Sequence, residues 1–144
     1  MVKLFFLLRK WINEKRLKIF FPLYRLIGLL YSSAIPLSCH IGKNITFMHG
    51  LYGIFISGGA KLGDNITLYQ HVTIGGSWDK NSKTFGAPII GDNTIIYPGA
   101  KIIGGVTIGK HCKIGPNVVI WEDIEDYTTV VFDKASFRRM VNNA

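Results

Sequence analysis

Acidic residues are scarce in this chain. Asp and Glu together number 9 against 17 Lys and Arg, a formal net charge of +8 at pH 7. Cysteine is scarcer still. The two present, Cys39 and Cys112, have no metal-motif spacing, which argues against a disulfide framework and makes a reducing, cytoplasmic setting the default. No run reaches the roughly 18 uncharged apolar residues that a membrane-spanning helix needs. The stretch "FFPLYRLIGLLYSSA" has Pro22 and Arg25 inside it, so it lacks the clean apolar core of a signal peptide. With 18% charged and 48% hydrophobic residues the chain is not disordered, and 144 residues suffice for one domain with a real core. No Walker, Rossmann or nucleic-acid reading motif is present, so a nucleic-acid partner is not expected despite the basic charge.

The charge that is there is unevenly placed. Lys3, Arg9, Lys10, Lys15, Arg16, Lys18 and Arg25 face a single acid, Glu14, within residues 1–31. This stretch reads as two helical pieces divided by Pro22. Leu4, Phe5, Leu8, Trp11, Ile12 and Ile19 recur at near-helical spacing with basic residues on other faces. Residues 1–34 are therefore expected to form a basic amphipathic helical segment. Its apolar side either packs on the protein or a neighbouring subunit, or lies as a peripheral contact on the anionic inner face of a membrane.

From Ile90 onward aliphatic residues fall every six positions: Ile90, Ile96, Ile102, Ile108, Ile114, Ile120. The fourth-step positions Thr94, Ala100, Val106, Cys112, Val118 and Ile124 are mostly small or β-branched, and Cys112 among them reads as a small buried hydrophobe. A period of six fits neither a long helix nor a long plain strand. It is the signature of a β-solenoid.

"IGDNTI-IYPGAK-IIGGVT-IGKHCK-IGPNVV" resembles the hexapeptide-repeat acyltransferases. That resemblance implies a mainly β chain: a left-handed parallel β-helix over residues 35–131, with three hexapeptides per coil. The short N-terminal helical segment would precede it and a tail, 132–144, would follow. At eighteen residues per coil the sequence threads onto three columns. One holds Phe47, Leu68, Ile90 and Ile108; a second Ile56, Ile74, Ile96 and Ile114; a third Ile41, Leu62, a disrupted place near 80–84, Ile102 and Ile120. Two departures from the period, "HGLYGIFI" (49–56, three extra residues) and "GSWDKNSKTFGAP" (76–88, four extra), are expected to protrude as a bulge and a loop.

Stacking Leu68 on Phe47 places Gln70 over His49, with His71 beside it, since adjacent coils lie roughly 4.8 Å apart. Gly50 and Gly53 flank the bulge and permit close approach of another backbone or a ligand. The segment from Ile41 to Gly76 is similar to the serine-acetyltransferase-like branch of the family. There His49 falls on the catalytic histidine, which activates an acceptor hydroxyl for attack on acetyl-CoA. Gly75 and Gly76 fall on the glycine pair near the coenzyme, and Gln70, His71 and Tyr52 surround the acceptor. Trp78, Lys80 and Lys83 of the loop, with Gly99, Ala100, Lys101 and Lys113 of later coils, are the remaining candidates for holding acetyl-CoA. The family also implies a homotrimer with active sites at the seams.

Departures from the branch are equally specific. Met48 stands where serine acetyltransferases have Asp, their partner aspartate falls near Ala34, and their loop histidine near Ala87. Loss of these groups favours a neutral acceptor, a sugar hydroxyl of a surface polysaccharide or its precursor. Serine O-acetylation is the alternative, and a non-catalytic scaffold a second. Metal chemistry is not expected. His49, His71 and His111 thread onto one column, but His111 would sit two coils from His71, about 10 Å away, too far for joint ligation at ~2 Å bonds.

Overall fold

The computed structural model describes residues 1–14 and 17–132. The expected tail, 132–144, therefore lies outside the described residues except for Phe132. Among the described residues two helices, α1 (Val2–Glu14) and α2 (Phe21–Leu30), precede thirteen short strands. The strands, β1 (His40–Ile41), β2 (Thr46–Leu51), β3 (Phe55–Ile56), β4 (Lys61–Leu62), β5 (Thr67–Leu68), β6 (Thr73–Gly75), β7 (Ile89–Ile90), β8 (Ile95–Ile96), β9 (Lys101–Ile103), β10 (Thr107–Ile108), β11 (Lys113–Ile114), β12 (Val119–Ile120) and β13 (Thr129–Val130), make three all-parallel walls. The first wall is β1-β4-β7-β10, the second β2-β5-β8-β11-β13 and the third β3-β6-β9-β12. From β1 to β12 successive strands go to successive walls, and before β13 the chain touches the first wall through a parallel bridge of Ile124 to Ile108. This is a three-sided parallel β-helix.

Each strand sends one aliphatic residue inward. Leu62, Leu68, Ile74, Ile90, Ile96, Ile102, Ile108 and Ile114 are at most 1% exposed. The small fourth-step residues fill the corners: Ala60, Ala100, Val106 and Cys112 are all buried. Thr94 is buried too, and its hydroxyl donates to the Gly109 carbonyl (3.1 Å) and accepts from the Cys112 N–H (3.2 Å). Two of the three corners turn on a backbone at positive φ. Asn44, Asn65, Asn93, His111 and Tyr127 supply it between the first and second walls, and Gly53, His71, Gly99 and Asn117 between the second and third. Asn and Gly adopt this conformation at least cost.

The threading needs one correction. Ile41 pairs with Leu62, Phe47 with Leu68 and Ile56 with Ile74, as expected. Beyond the 76–88 loop every column is shifted by one wall: Ile90 stacks on Leu62, Ile96 on Leu68 and Ile102 on Ile74. The loop thus holds ten extra residues (62 to 90 is 28, against eighteen per coil) rather than four, and no strand occupies 80–84. Both counts leave the same remainder on division by six, so the hydrophobic phase cannot tell them apart. His71 and His111 consequently sit at different corners, not in one column. His111 stacks on Tyr127 (ring centroids 4.8 Å apart) and lies beside Asn93.

The N-terminal segment caps the base of the β-helix. Phe5, Leu8, Ile12, Tyr24 and Ile27 join the core, and Phe5 stacks on Tyr24 at 4.5 Å. Arg9 is only 8% exposed and donates to the Tyr24 hydroxyl (3.2 Å) and the carbonyls of Pro36 (2.8 Å), Leu37 (3.2 Å) and Cys39. The break between helices lies before Pro22, through a 3₁₀ turn at Lys18–Phe20. Pro22 itself sits in the first turn of α2, where its missing N–H leaves nothing unsatisfied. Ala34 then bridges Phe55 and begins the third wall.

Candidate active site

The three extra residues of the bulge lengthen β2 and carry it round the corner toward β3. Gly50 and Gly53 both have positive φ, at 77° and 63°. The bulge was expected to protrude, but only part of it does. Leu51 and Ile54 are fully buried, while His49 and Tyr52 point outward into solvent. The segment leaving α2 crosses the bulge: the Gly53 N–H donates to the Tyr31 carbonyl (2.9 Å), and a Cβ on Gly50 would lie 3.5 Å from the Tyr31 ring. The glycines therefore admit a backbone from the chain's own N-terminal segment. An insertion beside a closely packed strand can bury a side chain on each side, which a period count alone does not show.

His49, Gln70, His71 and Tyr52 line one open cavity of about 430 Å³, closed on its other side by Leu30, Tyr31, Ser32 and Gly53. The imidazole of His49 lies 5.8 Å, centroid to centroid, from the Tyr69 ring, which stacks in turn on Tyr97 at 5.3 Å. His71 occupies the left-handed corner position and its N–H donates to the Tyr52 carbonyl (2.9 Å). The side-chain Oε1 of Gln70 is buried with no hydrogen-bond partner. A buried acceptor without a donor is costly, so this oxygen is suited to accept from a bound water or from the hydroxyl or amine of an acceptor substrate. Tyr31, Ser32 and Leu30 were not foreseen as part of this cavity. The paired glycines of the bulge were the only signal that something would approach closely there.

Among the described residues no carboxylate lines the cavity. The sequence has no acid between Glu14 and Asp64, so the coil that presents His49 carries none. Among the described residues no group of three or more His, Cys, Asp or Glu is gathered as a metal site.

The expected coenzyme residues lie elsewhere. Gly75 ends β6 in the third wall, and Gly76 opens the loop, where a Cβ would come 3.0 Å from both the Ser57 hydroxyl and the Trp78 ring. Ser77 and Gly86 pair across the neck of the loop through two hydrogen bonds of 2.8 and 2.7 Å. Above that neck Trp78 and Phe85 make an edge-on aromatic pair, 63% and 51% exposed, with Lys80 and Lys83 exposed nearby. Lys101 is exposed on β9, its ammonium donating to the Gly99 carbonyl (3.0 Å). Ala100 offers a ligand nothing: it is fully buried, and its N–H and C=O are taken by Tyr97 and Thr73. Lys113 belongs to the second wall, three strand spacings from β2, or about 14 Å. None of these residues reaches the cavity of His49. The third wall separates that cavity from the loop within one chain.

Residues 87–120 match the family model described as bacterial transferase hexapeptide (six repeats). The serine acetyltransferase of Staphylococcus xylosus is 41% identical over 91 residues, covering 63% of this chain and 41% of that protein. The crystal structure of Neisseria gonorrhoeae serine acetyltransferase superposes with a TM-score of 0.75 at 26% identity, over 90% of this chain and 51% of the other. A serine acetyltransferase solved in complex with CoA gives a TM-score of 0.71 at 26% identity, over 87% of this chain and 50% of the other. The chain spans less than half the length of the curated relatives it matches. The chain has the left-handed parallel β-helix fold of these proteins, with hexapeptide repeats of the transferase type over residues 87–120.

Proposed function

We propose that this chain is an acetyl-CoA-dependent O-acetyltransferase with His49 as general base. The observation that carries the reading is the exposed His49 imidazole facing a cavity shared with Gln70 and His71; the sequence resemblance sets His49 on the branch's catalytic histidine. His49 takes the proton of an acceptor hydroxyl as its oxygen attacks the thioester carbonyl. The C–S bond then breaks, the proton passes to the departing thiolate, and an O-acetyl ester and CoA are the products. The relative solved with CoA supports that donor. Trp78, Lys80, Lys83, Lys101 and the bare backbone at Gly75 and Gly76 remain the groups suited to its adenine ring and phosphates.

Gly99 adjoins the cavity, its N–H donating to the Gln70 carbonyl (3.1 Å). The third wall, however, stands between His49 and the 76–88 loop, so one chain does not bring the loop's Trp78, Lys80 and Lys83 to His49. A homotrimer that sets the loop of one copy against the cavity of the next completes the site. The outer face of that wall carries Phe55, Val119 and Trp121, which are 48%, 46% and 65% exposed and suit burial between copies.

Serine is the acceptor best supported by the comparisons, since the curated relatives and solved structures are serine acetyltransferases. This reverses the order drawn from the sequence. The sugar hydroxyl stays as a second reading on one observation: among the described residues no carboxylate lines the cavity to pair with an amino acid's ammonium group. Free thiol release from acetyl-CoA, measured separately with serine, nucleotide sugars and lipid-linked oligosaccharides, separates the two. Turnover with serine alone removes the glycan reading; turnover with none of these acceptors counts against the enzyme and for a scaffold.

A further inference from the structure

The sequence posed packing on the protein and contact with a membrane as alternatives for residues 1–31. In the structure the packing face is used and a second apolar face is left over. Phe5, Leu8, Ile12, Tyr24 and Ile27 are spent on the core. On the outside, Leu4, Leu7, Leu17, Ile19, Phe21, Leu23, Leu26 and Leu29 are between 38% and 81% exposed, Ile19 the most. In α2 alone Phe21, Leu23, Leu26 and Leu29 are four exposed large apolar residues among ten. So many exposed large apolar residues on one short segment mark an interaction site.

Charge decides which partner it fits. Lys3, Lys10, Lys18 and Arg25 are all exposed among these residues. The lone acid, Glu14, lies 3.9 Å from Lys10 and offsets one of them. A surface meant for a second copy of this chain would set these cations against their own like charges. An anionic bilayer offers the apolar side chains a hydrocarbon edge and the cations a counter-charge together. No described helix is long and apolar enough to cross a membrane, so the contact is with its surface.

We propose that the outer face of the N-terminal helical pair docks this protein on anionic lipid bilayers, while the inner face holds it to the β-helix. The inference does not depend on the acetyl-transfer reading. The test is co-sedimentation of the full chain with vesicles of phosphatidylcholine, alone or mixed with phosphatidylglycerol. Binding to the mixed vesicles should exceed binding to neutral ones by about tenfold or more, and fall as salt screens the charges. Combined Ile19→Asp, Leu23→Asp and Leu26→Asp changes lie on exposed positions and should abolish binding while the melting temperature and sedimentation coefficient of the free protein hold. Lys3→Glu with Lys18→Glu should do the same with no apolar change. Equal binding to both vesicle types, or none, overturns the proposal. Dissociation of an oligomer by the Asp substitutions also overturns it, because the face would then be covered by another copy.

Discussion

A Cβ built on Gly53 would fall 2.2 Å from Nδ1 of His71. The imidazole of one corner residue therefore rests in the space left empty by the glycine of the coil below. Both corners have positive φ, 63° at Gly53 and 59° at His71, so the vertical stacking of the coils sets their side chains in register. Gly53→Ala should displace His71 as well as strain its own backbone, by about 1–2 kcal/mol. Acetyl transfer should fall with mainly a rise in acceptor KM. Adding His71→Ser should recover part of the lost stability, since the displaced ring is gone. Melting curves and kinetics of the two single variants and the pair check this; no recovery in the pair means the ring does not occupy that space.

His49 is exposed on the bulge, and the contact of its ring with Tyr69 is made at the surface rather than in the core. His49→Ala should leave the fold intact and lower acetyl transfer by about 10²–10⁴, the range for removing a general base. Near-normal turnover with the true acceptor would reject the assignment.

Gln70 offers a test of a different kind. Its Oε1 is buried and unpaired without ligand, so replacing the amide by an apolar isostere relieves a desolvation cost. Gln70→Leu should hold or raise the melting temperature while raising the acceptor KM about tenfold, the worth of roughly one hydrogen bond of 1.4 kcal/mol. A loss of stability with unchanged KM would place Gln70 in the scaffold only.

The solenoid was legible because its core repeats: Ile90 through Ile120 alone define the period, and each of these isoleucines is inward in the structure. The pairing of His49 with Gln70 and His71 was legible for the same reason, as it depends on one coil and the Phe47–Leu68 register. The column assignment did not carry across the loop, because strand phase repeats every six residues and leaves the wall undetermined. Lys113 accordingly lies on another wall from Lys101. Ala100 marks a corner, and the small residues at corners are small because they are buried. The cap over the cavity by Tyr31 depends on the path between α2 and Ala34, which has no period to read.

The cap itself should respond to alkali. Burial pushes both the Tyr24 phenol and the Cys39 thiol above their ordinary values, with Arg9 beside them opposing the shift. In the folded protein both groups therefore hold their protons more tightly than in the unfolded chain. The stability linked to them is fully present below the ordinary values, 9.0 for the thiol and 10.0 for the phenol, and is lost as pH rises through the raised ones. Melting temperature should accordingly fall more steeply above about pH 9 in the native chain than in a Cys39→Ala, Tyr24→Phe variant. Arg9→Met should cost about 3 kcal/mol at neutral pH, because it strands the carbonyls of Pro36, Leu37 and Cys39 that the guanidinium now serves. Parallel melts of the three proteins across the alkaline range give both answers. Identical slopes for the native and double-variant chains would show that neither group titrates with unfolding, and that the cap opens to solvent before the β-helix melts.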